Sequence, residues 1–523
     1  MKYPIGIQTF SEIINDNYVY VDKTDILYKL VKGNKYVFLG RPRRFGKSLL
    51  SSTLKSYFKA EKDLFKGLLI DKLENEWKEY PVLYFDFSTA KNQDIQGIKN
   101  ELYRQLNDYE EKYGYSDIEI SPGQKLAGLI KRANETKGER TVVIIDEYDA
   151  AMLDHLHNEK NHNHVLTMMQ EFFAPLKSCD AHLRFVFLTG ITKFAQMNIF
   201  SVVNNINNVS MDPEYEAICG ITEDELHSVF SKDIERLAEE YKCSVEDMKL
   251  MLKQYYDGYR FGRGNKEIYN PYSILNAFQK LHIDSYWFAS GTPTYLIHQL
   301  QRYNTDVTSI DNVQTDASSF DRPTTTMTNA LPLLYQSGYL TIKDYDRETN
   351  SFCLGIPNKE VRIGLAENLL PVYTKTTDLE DNGLILNLFN ALRNDDIEDF
   401  FSILRSYLVG IPYSDKEIVK RESYYETILY LIFSFMNRYV QTQVRSCRGR
   451  ADIVMQYIDT IYVIEIKVDK SADEALKQID DKGYMIPYES SGKRLIKCGV
   501  SFSTLTRTLQ DWKVEYKYRL NNR

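Results

Sequence analysis

The stretch YVFLGRPRRFGKSLL, Tyr36 to Leu50, constrains the fold more than any other part of this chain. An apolar run ends at Gly40, a basic loop follows, and Gly46-Lys47-Ser48 opens a helical pattern at about Lys47. In a phosphate-binding loop, backbone N–H groups and a helix N-terminus surround the phosphates, a lysine adds a point charge, and a Ser or Thr hydroxyl binds magnesium. The usual G-x-x-x-x-G-K-[ST] pattern has a glycine where Arg41 stands here, and the nearest glycine is Gly40. The Gly-Lys-Ser core keeps its strand–loop–helix context, so the loop is read as a nucleotide site with an altered first half. Arg41, Arg43, Arg44 and Lys47 make it strongly basic, either supporting the phosphates or facing solvent.

The first 210 residues alternate apolar strands with helical patterns. KYVFLG (35–40), PVLYFDFS (81–88), TVVIIDEYD (141–149) and RFVFLTG (184–190) are separated by helical stretches, among them 93–113, 123–137 and 162–177. Helices of this length between strands imply a doubly wound parallel sheet, an α/β class with buried strands. One strand ends on Asp146 and Glu147, an acidic pair that is costly there without a task. Asp146 would hold magnesium through water, and Glu147 would polarise an attacking water. Thr189, at the tip of another apolar strand, would sense a γ-phosphate.

At 523 residues the chain is too long for one ordinary domain. The expected division is a P-loop core at 1–211, a helical lid at 212–300, a winged-helix-like region at 301–373, a helical linker at 374–419 and a further α/β domain at 420–523. In the lid, Thr222 and Glu225 have the spacing of a capping box. Residues 325–366 read as a helix, a Ser-Gly turn and two strands around a polar turn. The net charge of −8 argues against a protein that coats nucleic acid nonspecifically, without excluding a local basic groove. Six scattered cysteines without C-x-x-C suit a reducing compartment. With no apolar leader and no 18-residue apolar run, a cytoplasmic protein without a membrane partner is expected.

The tail contains RGRADIVMQYIDTIYVIEIKVDKSADEALKQIDDKGY. Read as a hairpin of strands 451–457 and 461–468, it sets Asp452 opposite Glu465, with Lys467 on the same face as Glu465. Opposed carboxylates repel unless a cation lies between them, and magnesium suits such oxygen ligands. A metal on Asp452 and Glu465 would activate a water, with Lys467 positioning the nucleophile. Glu426, on an upstream helix, is placed to add an outer acidic residue. Gln478, Lys482 and Tyr484 follow in a segment suited to contact a phosphodiester backbone. The bland alternative is a surface hairpin with a cross-strand salt bridge.

Six stretches in order, VYVDKTDILYKLV, RPRRFGKSLL, VVIIDEYDA, FLTGITKFAQMNIFSVVNN, CGITEDEL and YYDGYRFG, resemble the AAA-ATPase-like family of bacterial proteins over roughly residues 3–280. The resemblance implies ATP binding and accounts for Arg41, because the family's loop is arginine-rich. The expected nucleotide contacts are Arg43, Arg44, Phe45, Gly46, Lys47, Ser48, Leu49, Asp146 and Thr189, with Ser48 and Asp146 toward magnesium and Glu147 catalytic. Lys193 and Arg260 are candidates for sensor or trans contacts, with a structural surface role the favoured reading for each, and YYDGYRFG has only a turn at Asp257-Gly258 flanked by aromatic packing to explain it. Residues 420–505 resemble a PD-(D/E)XK nuclease domain, of restriction-endonuclease-like fold. That resemblance implies Glu426, Asp452, Glu465 and Lys467 as its active set, with Gln478 joining. Together these imply an ATP-controlled, magnesium-dependent nuclease acting on nucleic acid, DNA above RNA, in a chain expected to form a homo-oligomer. The family setting associates such proteins with defence against foreign DNA or with a role in mobile elements themselves. A signalling or scaffold ATPase whose tail binds nucleic acid or a protein partner without cutting is the other reading, as is a protein-remodelling ATPase.

Overall fold

The computed structural model describes residues 1–91, 93–155, 158–192, 206–289, 294–303, 305–316, 318–319, 327–411, 422–438, 441–447 and 450–517. The chain forms two compact units, Met1–Thr305 with Asn312–Asn358, and Asp306–Asp311 with Lys359–Arg523. The break after Asn358 falls inside the 301–373 region read from the sequence.

In the first unit, β1 (Tyr36–Gly40), β2 (Val82–Asp86), β3 (Thr141–Asp146), β4 (Leu183–Gly190) and β5 (Asn207–Asn208) form one parallel sheet, in the order β2-β3-β4-β1-β5. The first four are the strands expected from the apolar runs. Successive side chains point to opposite faces of a sheet, and here both sets are buried. Phe38, Phe85, Val143 and Val186 pack with Leu102, Leu129 and Met169 of the helices Ile95–Tyr113, Pro122–Lys137 and Glu159–Phe173. On the other face Phe185 meets Phe58 of the helix Lys47–Phe58, ring centroids 5.2 Å apart. Cover on both faces is why these strands read as unbroken apolar runs. Since all strands run parallel, the loop after β1 and the acidic end of β3 emerge at one carboxyl edge, where open α/β sheets gather their ligands.

Residues 212–289 are mainly helical, as expected. Thr222 caps the helix Glu223–Val229 in a complete capping box with Glu225, and Leu226, Phe230, Leu237, Leu252 and Phe278 form a core of their own. The short strands β6 (Ile221–Thr222) and β7 (Ile268–Tyr269) pair beside it. Further on, β8 (Val313–Asp316), β9 (Thr341–Asp346) and β10 (Ser351–Gly355) make an antiparallel sheet in the order β8-β10-β9, with the helix Leu331–Gln336 before β9. The expected helix and hairpin are present, and β8 adds a strand that the sequence reading did not include.

The second unit is built on β11 (Gln441–Cys447), β12 (Arg450–Tyr457), β13 (Thr460–Val468), β14 (Arg494–Ser503) and β15 (Thr508–Lys517), in that spatial order. Only β13 and β14 are parallel. The helix Ala472–Asp481 is their crossover, seating Leu476 and Ile479 with Ile461 and Val463. The helices Lys359–Thr374, Asp378–Arg393, Ile397–Gly410 and Glu422–Phe435 complete the unit. The second and third of these lie in the 374–419 stretch, and the second begins inside its polar start with Thr377 as cap. Among the described residues no helix is long and apolar enough to cross a membrane.

Candidate functional site

The loop after β1 takes left-handed backbone at Arg44 (φ +66°) and at Gly46 (φ +93°), which caps the helix Lys47–Phe58. Departures of this kind gather successive N–H groups into an anion-binding concavity. At Gly46 a Cβ would meet nothing within 4 Å, so the dihedral and not crowding requires glycine there. The adjoining cavity, about 400 Å³, is lined by Arg43, Arg44, Gly46, Lys47, Ser48, Leu49 and Glu147 among others. Lys47 is buried and donates from Nζ to the carbonyls of Arg41 and Pro42, both at 3.0 Å. Ser48 stands beside the carboxylate of Asp146, which is 1% exposed at the end of β3. Burial pushes the Asp146 carboxyl up to about 6; Glu147 and Asp86 add to this, while Ser48 and Lys47 oppose it. An oxygen-only pair, its carboxylate buried, beside a cationic loop is a donor set that a hard divalent cation accepts. Glu147 has φ +49°, uncommon for a non-glycine residue and of the kind that collects at functional sites.

Two of the expected nucleotide contacts point elsewhere. Thr189 is buried and its Oγ1 donates to the Leu39 carbonyl at 2.9 Å, so the hydroxyl serves the β1–β4 seam and does not line the cavity. The Phe45 side chain turns away into an aromatic cluster. Arg41 neither faces solvent nor lines the cavity: its guanidinium is buried under backbone carbonyls. Arg260 donates to Glu267 and to the Lys343 carbonyl, both at 3.0 Å, which is a structural role. Lys193 lies outside the described residues. The sequence reading missed Asp149, which does line the cavity. Its Oδ2 accepts from the N–H groups of Ile191 and Thr192 and from Thr192 Oγ1, at 3.0, 2.6 and 2.8 Å. The available signal was a third acidic residue in DEYD.

In the second unit, Asp452 pairs with Glu465 across β12 and β13, the register expected from the hairpin. The side chain of Asp452 lies outside the described residues. Glu465 is 0% exposed and Lys467 7%, with Nζ 2.8 Å from Glu465 Oε1. Lys467 also donates to Gln478 Oε1 at 2.5 Å, and Gln478 Nε2 lies 3.4 Å from the Tyr484 hydroxyl. The crossover helix thus brings Gln478 to the lysine, with Tyr484 behind it, while Lys482, the helix C-cap, is exposed. Glu426 is half-buried on the helix Glu422–Phe435, which packs on β11 and β12. A buried ion pair in a central strand is expensive to desolvate and gives little net stability.

Comparison with known proteins adds three findings. Residues 4–200 match the family described as predicted AAA-ATPase, and residues 420–512 match the PD-(D/E)XK nuclease superfamily. The "uncharacterized protein in vnfD 5′ region" of Azotobacter chroococcum mcd 1 is 32% identical over 527 residues, covering 98% of this chain and 99% of that protein. Among solved structures, the Aeropyrum pernix ORC2 protein (ADPNP-ADP complexes) aligns with 64% of this chain and 87% of its own, at 12% identity and a TM-score of 0.25, too loose to bear on the fold.

Proposed function

The chain belongs to the predicted AAA-ATPase family and ends in a PD-(D/E)XK nuclease superfamily domain, and from that premise we propose that it is a cytoplasmic enzyme whose ATP site controls magnesium-dependent cleavage of DNA. The observation that carries the proposal is the Glu465–Lys467 pair, registered against Asp452 and tied to Gln478. A surface salt bridge would not need burial in the middle of a sheet, and a domain that only binds nucleic acid does not need the lysine.

At the first site, the loop N–H groups, Arg43, Arg44 and Lys47 bind the phosphates, and the apolar end of the cavity, with Pro4, Tyr272 and Leu275, takes the base. Ser48 and Asp146 would hold magnesium, and Glu147 orients the water that attacks the γ-phosphate. At the second site, Asp452 and Glu465 would hold magnesium, with Glu426 as an outer carboxylate. Magnesium bound there acidifies water and stabilises the charge that builds up on the phosphodiester. Lys467 positions the attacking water, whose oxygen bonds to phosphorus as the P–O bond to the leaving strand breaks; the water's proton passes to solvent, and the leaving oxygen takes one from solvent. Gln478, itself contacted by Tyr484, holds the lysine in place.

Supercoiled, linear and single-stranded DNA and RNA, each with magnesium and with or without ATP, test the reading beside Lys467→Ala and Lys47→Ala. Cleavage lost in Lys467→Ala, and insensitive to ATP in Lys47→Ala, is expected. ATP hydrolysis with no cleavage of any substrate would leave a signalling or scaffold ATPase in its place.

A further inference from the structure

The octapeptide YYDGYRFG, residues 255–262, belongs to neither site, yet it runs between the phosphate loop and the β9–β10 pair. On the loop side, the buried Phe45 ring meets Tyr259 and Phe261 edge-on, with centroids 4.8 and 5.3 Å away. The Arg41 guanidinium lies 4.3 Å from the Phe261 centroid and donates to the carbonyls of Gly40, Ser210 and Tyr215 at 2.9, 2.8 and 3.0 Å. On the far side, the Arg260 N–H donates to Thr341 Oγ1 at 2.7 Å, and the same hydroxyl donates back to the Arg260 carbonyl at 3.2 Å. Gly258 (φ +87°) passes so close to Pro357 that a Cβ would lie 2.4 Å from its carbonyl oxygen. Asn358 Nδ2 donates to the Asp257 carbonyl at 2.8 Å. A second hold parallels the first: Trp287 Nε1 donates to the Arg43 carbonyl at 3.1 Å, and its ring packs on Tyr339 at 5.1 Å.

We propose that residues 257–261 are a strap that positions the phosphate loop and passes the state of the nucleotide site to residues 338–358. The proposal rests on the nucleotide reading above. Its switch is Lys47, whose Nζ is bonded to the carbonyls of Arg41 and Pro42, in the half of the loop that the strap holds. A phosphate that draws Lys47 to itself takes two hydrogen bonds away from that half, which is the differential contact a ligand needs to shift an equilibrium. Close-packed aromatic side chains move together and do not yield one at a time, so Phe45 carries the change to Tyr259 and Phe261. Arg260 and Gly258 carry it on to Thr341 and Pro357. Arginine at position 41 and phenylalanine at 261 are therefore matched: the ring face and the carbonyls accommodate a charge that a glycine-first loop would not bring inside.

Hydrogen–deuterium exchange on the full chain, with MgATP, with MgADP and without nucleotide, tests the strap. In the wild type, MgATP is expected to slow exchange at least fivefold both in 41–49 and in 338–346. In Thr341→Val and in Phe261→Leu, slowing in 41–49 persists while slowing in 338–346 falls below twofold. Thr341→Ser, which keeps the hydroxyl, restores it. A merely structural strap would raise exchange in 338–346 with and without nucleotide alike and leave their ratio unchanged, which overturns the proposal. So does slowing confined to 41–49 in the wild type. No slowing in 41–49 at all would overturn the nucleotide reading itself, and the strap with it.

Discussion

Lys467 sits 2.8 Å from Glu465 in a strand whose remaining central side chains, Tyr462 to Ile466, are buried. Removing one member of such a pair strands the other charge. Lys467→Met should therefore destabilise the second unit by about 3–5 kcal/mol, whereas Glu465→Gln with Lys467→Met should recover at least half of that. Neither variant should cleave. Denaturant titrations beside a cleavage assay would separate the two effects, and a double variant as unstable as the single one would mean that the pair is structural. Asp257 shows the opposite problem, a carboxyl whose burial outweighs the groups that favour its charge. Burial, with Glu267 and Glu223 adding and the Gly258 N–H and Lys253 opposing, pushes it up to about 7; Tyr269 packs against it as well. A raised carboxyl stabilises the fold fully below its unfolded value, near 4, and that contribution is lost as pH rises through about 7. Asp257→Asn should thus match the wild type in stability near pH 4 and exceed it at pH 8, by about 1–4 kcal/mol. Urea titrations at both pH values check the sign, and equal gains at the two would refute it.

Among elements, the crossover helix Ala472–Asp481 matters most, because it delivers Gln478 to Lys467. Gly499 of β14 lies beneath it, where an added Cβ would come within 2.3 Å of the Ala472 carbonyl oxygen and 2.8 Å of the Leu476 nitrogen. Both are backbone atoms, so the helix itself must move. Gly499→Ala should cost about 1–3 kcal/mol through overpacking and cut cleavage more than tenfold, leaving nucleotide binding in the other unit unchanged. Wild-type cleavage in that variant would show that Gln478 is dispensable. The local features of these elements were legible in the sequence. The Thr222–Glu225 capping box needs only a three-residue spacing, and the Asp452–Glu465 register follows from where one short turn falls. What was not legible depends on neighbours distant in the chain. Thr189 and Asp149 both stand near strand ends, but which of them reaches the cavity is decided by β4 lying against β1 and β3. Arg41 appeared to have only phosphate or solvent as partners, because local charge gives no hint that carbonyls of Ser210 and Tyr215 surround it.

At the scale of the molecule, the chain passes between its two units three times, at 305–306, 311–312 and 358–359. The inserted segment is fixed at its end, since Asp311 pairs with Arg362 inside the second unit. One of these passages directly follows Asn358, which the strap holds through Asp257. Nucleotide binding should therefore be felt beyond the unit that binds it. With MgATP at a hundredfold over Kd, mass action raises the stability of the binding unit by about 2.7 kcal/mol. Scanning calorimetry should resolve two transitions, assigned with Lys47→Ala and Lys467→Met. Both should rise with MgATP, the first more than the second, and neither should respond in Lys47→Ala. A rise in the first transition alone would mean that the nucleotide is bound but its energy is not transmitted. Control of cleavage by ATP would then have no physical route through the fold, and a binding or signalling role for the tail would become the better account.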